Sequence, residues 1–479
     1  MSATTRTTTA FADVSELHGA LAGIARIEGD AVAIDDEAGF RGGLIDRLIR
    51  TATFGDDQSK AASRWLIRAA APRLGAFPAS IHDLYLAGGR GDYAHATAPA
   101  INIRGLTYEV MRTVLRAARA NDCKIVLFEL ARSEIGYTEQ RPGEYAANAL
   151  AAAIKEGHRG PVFIQGDHYQ VNAKKYAQDP EGELQAIRDL TAEAIAAGYY
   201  NIDIDASTIV DISLPTITKQ QALNARHTAE MTRFIREREP AGITVSVGGE
   251  IGEVGARNST VEDLTAFMDG YVRNLTSQAD AAGGEVPGIS KISVQTGTSH
   301  GGVVLADGSI AEVAVEFDVL AELSRVARED YGLGGAVQHG ASTLPTAAFG
   351  RFARANAIEV HLATAFQNQI YDSDAFPAAL RDDIYAHLAA NHQDERKPDQ
   401  TDAQFYYTTR KRGFGPFKRQ LWDLPDETKG AIMAELEPTF SLMMRELGVA
   451  NTAGLVDRVI TPVEVEVPAP AGLREAVAR

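Results

Sequence analysis

The strongest constraint on the fold is an eightfold alternation of short apolar runs and amphipathic segments between residues 99 and 390. Strands that alternate with helices build a parallel sheet, either doubly wound or closed into a barrel. Polar side chains follow the apolar runs, as at a barrel mouth, whereas a doubly wound sheet concentrates them at one switch point. We therefore predict an α/β fold, a (β/α)8 TIM barrel, with strands at 98–103, 124–130, 161–166, 199–204, 242–248, 291–296, 334–338 and 358–362.

The chain is longer than a minimal barrel requires. It has 479 residues, whereas about 250 are enough for such a barrel, so we expect additions at both ends. Amphipathic helical patterns fill residues 1–80, and a basic-aromatic stretch and a long helical pattern follow residue 395. We predict a helical N-terminal extension at 1–80, the barrel at 81–395, and a C-terminal helical segment with a tail at 396–479.

Composition limits the classes of partner. Lys and Arg total 47 against 64 Asp and Glu, and the net charge of −17 argues against nucleic acid or an anionic membrane as a partner. Cys123 is the only cysteine, so no disulfide can form within the chain, as is common in a reducing compartment. The N-terminus has no signal pattern, and no apolar run is long enough for a membrane span. We expect a cytoplasmic protein.

Three histidines follow three separate predicted strands. His168, His300 and His339 come directly after the third, sixth and seventh apolar runs, each beside Asp or Gly. A single such histidine is more often a satisfied core residue, but three at one mouth favour an open metal site with a position for water or substrate. Three imidazoles suit zinc, cobalt or manganese.

The motifs GDH at 166–168, DIDAS at 203–207, GGEIG at 248–252, TGTSHGG at 296–302, QHGAS at 338–342 and EVHLAT at 359–364 occur in a characteristic order. This order resembles that of the class II, metal-dependent ketose-bisphosphate aldolases. The resemblance covers residues 82–385 and, weakly, the C-terminal tail. Residues 1–80 lie outside it.

The resemblance implies roles for the polar residues at the mouth. His168, His300 and His339 resemble the zinc ligands, and Glu250 and Asp205 resemble acidic residues that approach the metal or orient its ligands. Asp167 resembles the residue that exchanges a proton with the C4 hydroxyl of the sugar, although an Asp here could instead cap the next segment. The implied substrate-binding residues are Asn102, Ser133, Gly301, Gly340, Ser342, Thr364 and Arg410, although Ser342 could be a helix cap and Arg410 a solvated charge.

The sequence departs from the family pattern at the substrate end and at the mobile catalyst. His361 stands where members usually have Asn, and Ala365 where many have Asp. We include His361 among the substrate-binding residues and note that it could favour a carboxylate or an unphosphorylated sugar. The mobile acid/base glutamate of the family matches no single position, and both Glu253 and Glu262 are candidates.

These features predict a zinc-dependent class II aldolase, a carbon–carbon lyase of glycolysis and gluconeogenesis. It would cleave or form the C3–C4 bond of a ketose phosphate, most simply fructose 1,6-bisphosphate, giving dihydroxyacetone phosphate and glyceraldehyde 3-phosphate. Cleavage leaves an enediolate, which a Lewis-acidic metal stabilises. No lysine stands at a predicted strand end of the mouth to form a Schiff base instead.

Two alternatives remain open. A ketose epimerase, acting on a tagatose-type or non-phosphorylated sugar, would use the same metal centre. A non-catalytic subunit of an aldolase is the other alternative, although a scaffold has no need for an open metal site. The resemblance further implies one Zn²⁺ per subunit, a monovalent cation beside His300 and His339, and a homodimer or homotetramer.

Overall fold

The computed structural model describes residues 8–252, 257–282, 286–297, 305 and 315–478, with the backbone alone for 278–282. Within these residues, eight parallel strands close into a barrel, because β4 pairs with β11 as well as with β5. The TIM-barrel prediction is therefore confirmed. The strands are β1 Ala25–Glu28, β2 Ala31–Ile34, β3 Ala76–Ala79, β4 Ala98–Asn102, β5 Leu127–Ala131, β6 Gly160–Gln170, β7 Asn201–Asp205, β8 Ser246–Glu250, β9 Lys291–Val294, β10 Ala336–Gln338 and β11 Glu359–Leu362.

Helices surround the barrel and follow its strands, as the alternation predicts. The shortest, α2, continues through a π-helical turn at Phe40–Leu44 into α3. The helices are α1 Val14–Gly19, α2 Glu37–Gly39, α3 Ile45–Phe54, α4 Asp57–Arg73, α5 His82–Arg90, α6 Thr107–Ala120, α7 Arg132–Thr138, α8 Pro142–Glu156, α9 Ala173–Gln178, α10 Pro180–Ala197, α11 Ile217–Gln220, α12 Ala222–Arg236, α13 Val261–Ala282, α14 Phe317–Glu329, α15 Thr346–Arg354, α16 Thr364–Asp372, α17 Ala378–Asn391, α18 Asp402–Thr409, α19 Lys418–Trp422, α20 Asp426–Glu446, α21 Ala453–Val459 and α22 Ala471–Val477.

The N-terminal extension is mainly helical but also contains strands. β1 and β2 form an antiparallel hairpin, and β3 pairs in parallel with the first residues of β6, outside the closed barrel. The helices α3 and α4 pack against α8. The extension also contacts the C-terminal tail, since Trp65 donates from Nε1 to the carbonyl of Val467 at 2.7 Å.

Long polar side chains occupy part of the barrel interior. The central strands β4, β5, β7 and β9 are buried at every residue, as expected where helices cover the outside of a parallel sheet. Their inward positions include Glu129 and Lys291, and those of β6 and β11 include Gln165 and Glu359. In the described part of the chain, no helix is both long and apolar enough to cross a membrane.

Candidate metal centre and active site

The predicted site residues meet at the carboxyl ends of the barrel strands. A cavity of about 480 Å³ opens there between the strand ends, α7 and the C-terminal segment around Lys411. Most of the predicted residues that the structure describes line it: Asn102, Ser133, Asp167, His168, Gly340, Ser342, His361 and Thr364. His300, Gly301 and Glu253 lie outside the described residues.

His168 stands at a break in the regular pairing of its strand. The β6–β7 register shifts between Gly166 and Tyr169, and His168 has a positive φ of 41°. A bulge re-aims side chains at a strand end, and a left-handed histidine needs surrounding contacts to hold it. Those contacts involve both ring nitrogens. Nδ1 lies 3.1 Å from Asp205 Oδ2 and 3.1 Å from Glu250 Oε2, while Nε2 lies 3.0 Å from Nδ1 of His339.

His339 completes the described part of the predicted ligand set. It follows β10, is buried, and approaches Ser293 Oγ at 3.0 Å and Glu250 Oε2 at 3.9 Å through Nε2. Possible donor atoms of His168, Asp205 and Glu250 all lie within 4.8 Å of one another, as do those of Asp167, His168 and His339. Imidazole nitrogens with carboxylate oxygens are a donor set suited to zinc and related divalent metals. The residues present therefore fit the implied metal.

Charge at this cluster also favours a bound cation. Burial opposes protonation of His168, but the carboxylates of Glu250 and Asp167 outweigh it and raise the pKa of the imidazole well above its usual range. Burial in turn raises the pKa of Glu250, with Asp205 as the next cause. Several buried carboxylates around one imidazole leave excess negative charge, which a divalent cation would neutralise.

Asp167 is buried beside the candidate ligands, with a hydrogen bond to Oδ2 and an imidazole at ion-pair distance from Oδ1. Asn102 Nδ2 donates to Oδ2 at 2.8 Å, and His361 Nδ1 lies 3.2 Å from Oδ1. Burial raises the pKa of Asp167, but His168 and His361 outweigh burial and hold this pKa well below its usual range. The ionised carboxylate faces the cavity and can accept a hydrogen bond, or a proton, from a substrate hydroxyl.

His361 joins the mouth to a buried ionic network in the barrel. Its Nε2 lies 2.5 Å from Glu359 Oε1, and its Nδ1 lies 3.1 Å from Glu129 Oε1. Glu359 pairs in turn with Lys291, whose Nζ is also 2.9 Å from Asp203 Oδ1. Glu129, Lys291 and Glu359 are not among the predicted site residues. The sequence feature that could have revealed this network is a charged residue within each of three mostly apolar strands.

Basic side chains form part of the cavity lining: Arg104, Arg132, Lys175 and Lys411. Arg104 is paired with Glu134 at 2.6 Å, and Arg132 with Glu183. Lys411 has no carboxylate within ion-pair distance among the residues that the structure describes. Burial first, and then Arg104 and Arg412, lower its pKa. An anion entering the cavity would therefore find an uncompensated ammonium group there.

The implied phosphate residues also line the cavity. Gly340, with φ 70°, Ser342 and Thr364 line the cavity, and Thr364 begins α16. The backbone N–H of Ala365 in the first turn of α16 donates to Ser342 Oγ at 3.3 Å, whereas the N-cap of α15, the helix that follows Ser342 in the chain, is Pro345. A helix N-terminus with free N–H groups and hydroxyls also suits an anion.

Five predicted residues that the structure describes do not line the main cavity: Asp205, Glu250 and His339 of the candidate metal centre, and Arg410 and Glu262. Arg410 is buried and forms a bidentate pair with Asp372, at 2.6 and 3.0 Å, beside a neighbouring pocket that also contains Ser342. Its sequence neighbour Lys411 lines the cavity instead. Glu262 is exposed in the first turn of α13 and is not a cavity-lining residue.

The chain matches the model of a known protein family. The model of the family "Fructose-bisphosphate aldolase class-II" matches residues 90–404. No curated protein sequence matches this chain significantly.

Among solved structures, a probable tagatose 6 phosphate kinase from Sinorhizobium meliloti is similar at 15% identity and a TM-score of 0.51, covering 80% of this chain and 97% of that one. The fructuronate-tagaturonate epimerase UxaE from Cohnella laeviribosi is similar at 14% identity and a TM-score of 0.52, covering 90% of both chains. These two structures share the fold. Because the family model spans all eight barrel strands and more than half of the chain, this chain belongs to the class II fructose-bisphosphate aldolase family.

Proposed function

We propose that this protein is a zinc-dependent aldolase that cleaves and forms the C3–C4 bond of a phosphorylated ketose, most simply fructose 1,6-bisphosphate. The observation that carries the proposal is the proximity of the buried Asp167 carboxylate, which lines the cavity, to the candidate metal ligands His168 and His339, since possible donor atoms of all three lie within 4.8 Å of one another. Aldol cleavage needs both a base for a hydroxyl proton and an electron sink for the broken bond.

The residues of the chain divide this chemistry between them. Asp167 takes the proton of the C4 hydroxyl, the C3–C4 bond breaks, and its electron pair passes to the three-carbon ketone fragment as the aldehyde forms. A zinc ion held by His168, His339 and their neighbours would supply the Lewis acid for that fragment. A glutamate, either Glu253 or Glu262, then returns a proton to C3. Asn102 keeps the Asp167 carboxylate aimed at the cavity by donating to Oδ2.

Two features of the cavity lining suit the anionic groups of a bisphosphate substrate. The N-terminus of α16, with Thr364 and Ser342, is available to one phosphate, and Lys411 to the other. His361 is buried among carboxylates, so it is poorly suited to bind an anionic head group directly.

A coupled assay for triose phosphate, with and without a chelator, tests the proposal. We expect chelator-sensitive release from fructose 1,6-bisphosphate by the wild-type protein. His168→Ala should lose both zinc and activity, whereas Asp167→Ala should keep zinc and lose at least about 100-fold in turnover. His227→Ala is a matched control, because this buried histidine binds Tyr176 and Glu230 away from the mouth. A zinc-loaded wild-type protein that releases no triose phosphate from any ketose phosphate would refute the proposal.

A ketose epimerase on the same centre is the second candidate. It is favoured by the match to the fructuronate-tagaturonate epimerase, which covers 90% of both chains. Such an enzyme would break the same bond, rotate the aldehyde and re-form the bond at inverted C4. Product analysis separates the two functions, because an epimerase returns the C4 epimer of a hexuronate without free three-carbon products.

A further inference from the structure

A series of buried contacts connects the base Asp167 to the interior of the barrel. His361 Nδ1 lies 3.2 Å from Asp167 Oδ1, and His361 Nε2 lies 2.5 Å from Glu359 Oε1. Glu359 begins β11, while Asp167 lies at the opposite, mouth end of β6. The side chain of His361 therefore joins the mouth to the barrel interior.

Glu359 is held more tightly than a simple ion pair requires. Lys291 Nζ lies 2.5 Å from Glu359 Oε1, Gln165 Nε2 donates to the same oxygen at 2.8 Å, and the Tyr85 hydroxyl donates to Oε2. Three strands and the helix α5 thus fix this carboxylate. Glu359 is completely buried and is not a cavity-lining residue, so substrate cannot touch it.

His361 has little freedom to move within these contacts. Its ring packs against the ring of His339, with centroids 4.0 Å apart, and its Nδ1 is also 3.1 Å from Glu129 Oε1. The ring orientation that places Nδ1 beside Asp167 is the same one that places Nε2 on Glu359. A change at Glu359 would therefore alter the position of the His361 ring and, through it, the position of the Asp167 carboxylate.

We propose that Glu359 is a positioning residue for the aldol reaction: by fixing the ring of His361, it sets the orientation of the Asp167 carboxylate toward the C4 hydroxyl of the substrate. This inference rests on the proposed function. It predicts a selective defect, because the polar side-chain contacts of Glu359 within the described residues are with Lys291, Gln165, Tyr85 and His361, and include neither His168 nor His339.

The selective defect separates positioning from a purely structural role. Cleavage requires loss of the C4 hydroxyl proton, so it depends on the orientation of Asp167. Exchange of the C3 proton of dihydroxyacetone phosphate with solvent uses the same ketone and the same metal, but no C4 hydroxyl takes part. Loss of Glu359 should therefore slow cleavage and spare exchange, whereas a damaged metal site or a loosened barrel would slow both.

The test uses Glu359→Gln, which keeps the shape of the side chain while Lys291 stays paired with Asp203. We expect kcat for cleavage of fructose 1,6-bisphosphate to fall by about 10- to 100-fold, since small misplacement of a catalytic group has effects of this size. The KM, the zinc content and the rate of deuterium incorporation into dihydroxyacetone phosphate should stay at wild-type values. Glu144→Gln is the matched control, a buried glutamate on α8 that pairs with Lys418 at 2.7 Å.

A double-variant comparison shows whether Glu359 acts through His361. In a His361→Asn background, Glu359→Gln should lower kcat no further, because the connecting ring is already absent. Tyr85→Phe removes only the hydroxyl contact to Glu359 and provides a milder variant if Glu359→Gln does not fold. It should lower kcat by a smaller factor, again without a change in KM or exchange.

Several outcomes would overturn the inference. The first is a wild-type kcat for cleavage in folded Glu359→Gln or Tyr85→Phe. The second is a loss of proton exchange or of zinc that parallels the loss of cleavage. The third is a double variant in which the decreases in kcat caused by Glu359→Gln and His361→Asn multiply. Failure of the proposed function would look different, because the wild-type protein itself would then release no triose phosphate and catalyse no exchange.

Discussion

Substitution of Lys291 by Met should destabilise the protein strongly, although Met fills a similar volume and is more apolar. The Lys291 side chain is 1% exposed, and its ammonium group lies 2.9 Å from Asp203 and 2.5 Å from Glu359. Its removal takes the ammonium group away from two buried carboxylates, which then share the His361 imidazole. Breaking a buried pair in this way costs about 3–5 kcal/mol. Urea unfolding at pH 7, followed by circular dichroism, measures this loss in free energy of unfolding.

A matched surface pair provides the control for this prediction. Lys124 binds Asp457 at 2.6 Å, but Asp457 is 54% exposed, so Lys124→Met should cost only about 0–1 kcal/mol. Removal of all three charges, in Lys291→Met/Asp203→Asn/Glu359→Gln, should lower the free energy of unfolding by less than Lys291→Met alone. The reason is that neither carboxylate is then left buried without the ammonium group. Equal losses in the Lys291→Met and Lys124→Met proteins would refute this account of the barrel interior.

Three further predictions concern acid stability, metal affinity and substrate binding. Burial lowers the pKa of His82 from 6.5 to about 4, so neutral His82 stabilises the fold fully above about pH 6.5 and progressively less as the pH falls toward 4. Between pH 7.5 and 5 the free energy of unfolding, measured in urea, should fall by about 2 kcal/mol more for the wild type than for His82→Gln. Equal decreases in the two proteins would contradict this. Asp205→Asn should weaken zinc binding by about 10- to 100-fold in chelator competition, because Asp205 orients His168; unchanged affinity would count against that role. Lys411→Ala should raise KM for fructose 1,6-bisphosphate with little change in kcat, whereas Arg412→Ala, which removes a cation already paired with Glu395, should not.

The barrel could be predicted because its strands are short, mostly apolar runs with only isolated polar residues, and therefore stand out from amphipathic helices. All eight predicted strands are present, but several begin later than expected. The predicted run 124–130 corresponds to β5 at Leu127–Ala131, and 242–248 corresponds to β8 at Ser246–Glu250. The early apolar residues of both runs, such as Ile125 and Ile243, are buried without strand pairing. Hydrophobicity indicates burial, whereas a strand begins only where its neighbour accepts hydrogen bonds.

The cavity-lining residues were predictable for a related reason. In a parallel barrel all carboxyl ends of the strands lie at one mouth, so a polar residue after a strand is placed there by topology alone. The direction of a side chain in a turn is not fixed in this way. Arg410 and Lys411 are adjacent in a 3₁₀ turn, where successive side chains point about 120° apart. The sequence could not determine which of the two cations faces the cavity.

The ionic network in the barrel was hidden from sequence reasoning, because its members lie far apart along the chain and each looks like an isolated exception. Gly248 shows how closely this network is connected to the motifs that reveal the family. A Cβ atom at Gly248 would lie 2.2 Å from Asp203 Oδ1 and 2.9 Å from Lys291 Cε. The first glycine of the GGEIG motif is thus required by the buried ion pair, while Glu250, two residues later, serves the candidate metal centre. The motif therefore carries two separate constraints, one from the charge inside the barrel and one from the chemistry at its mouth.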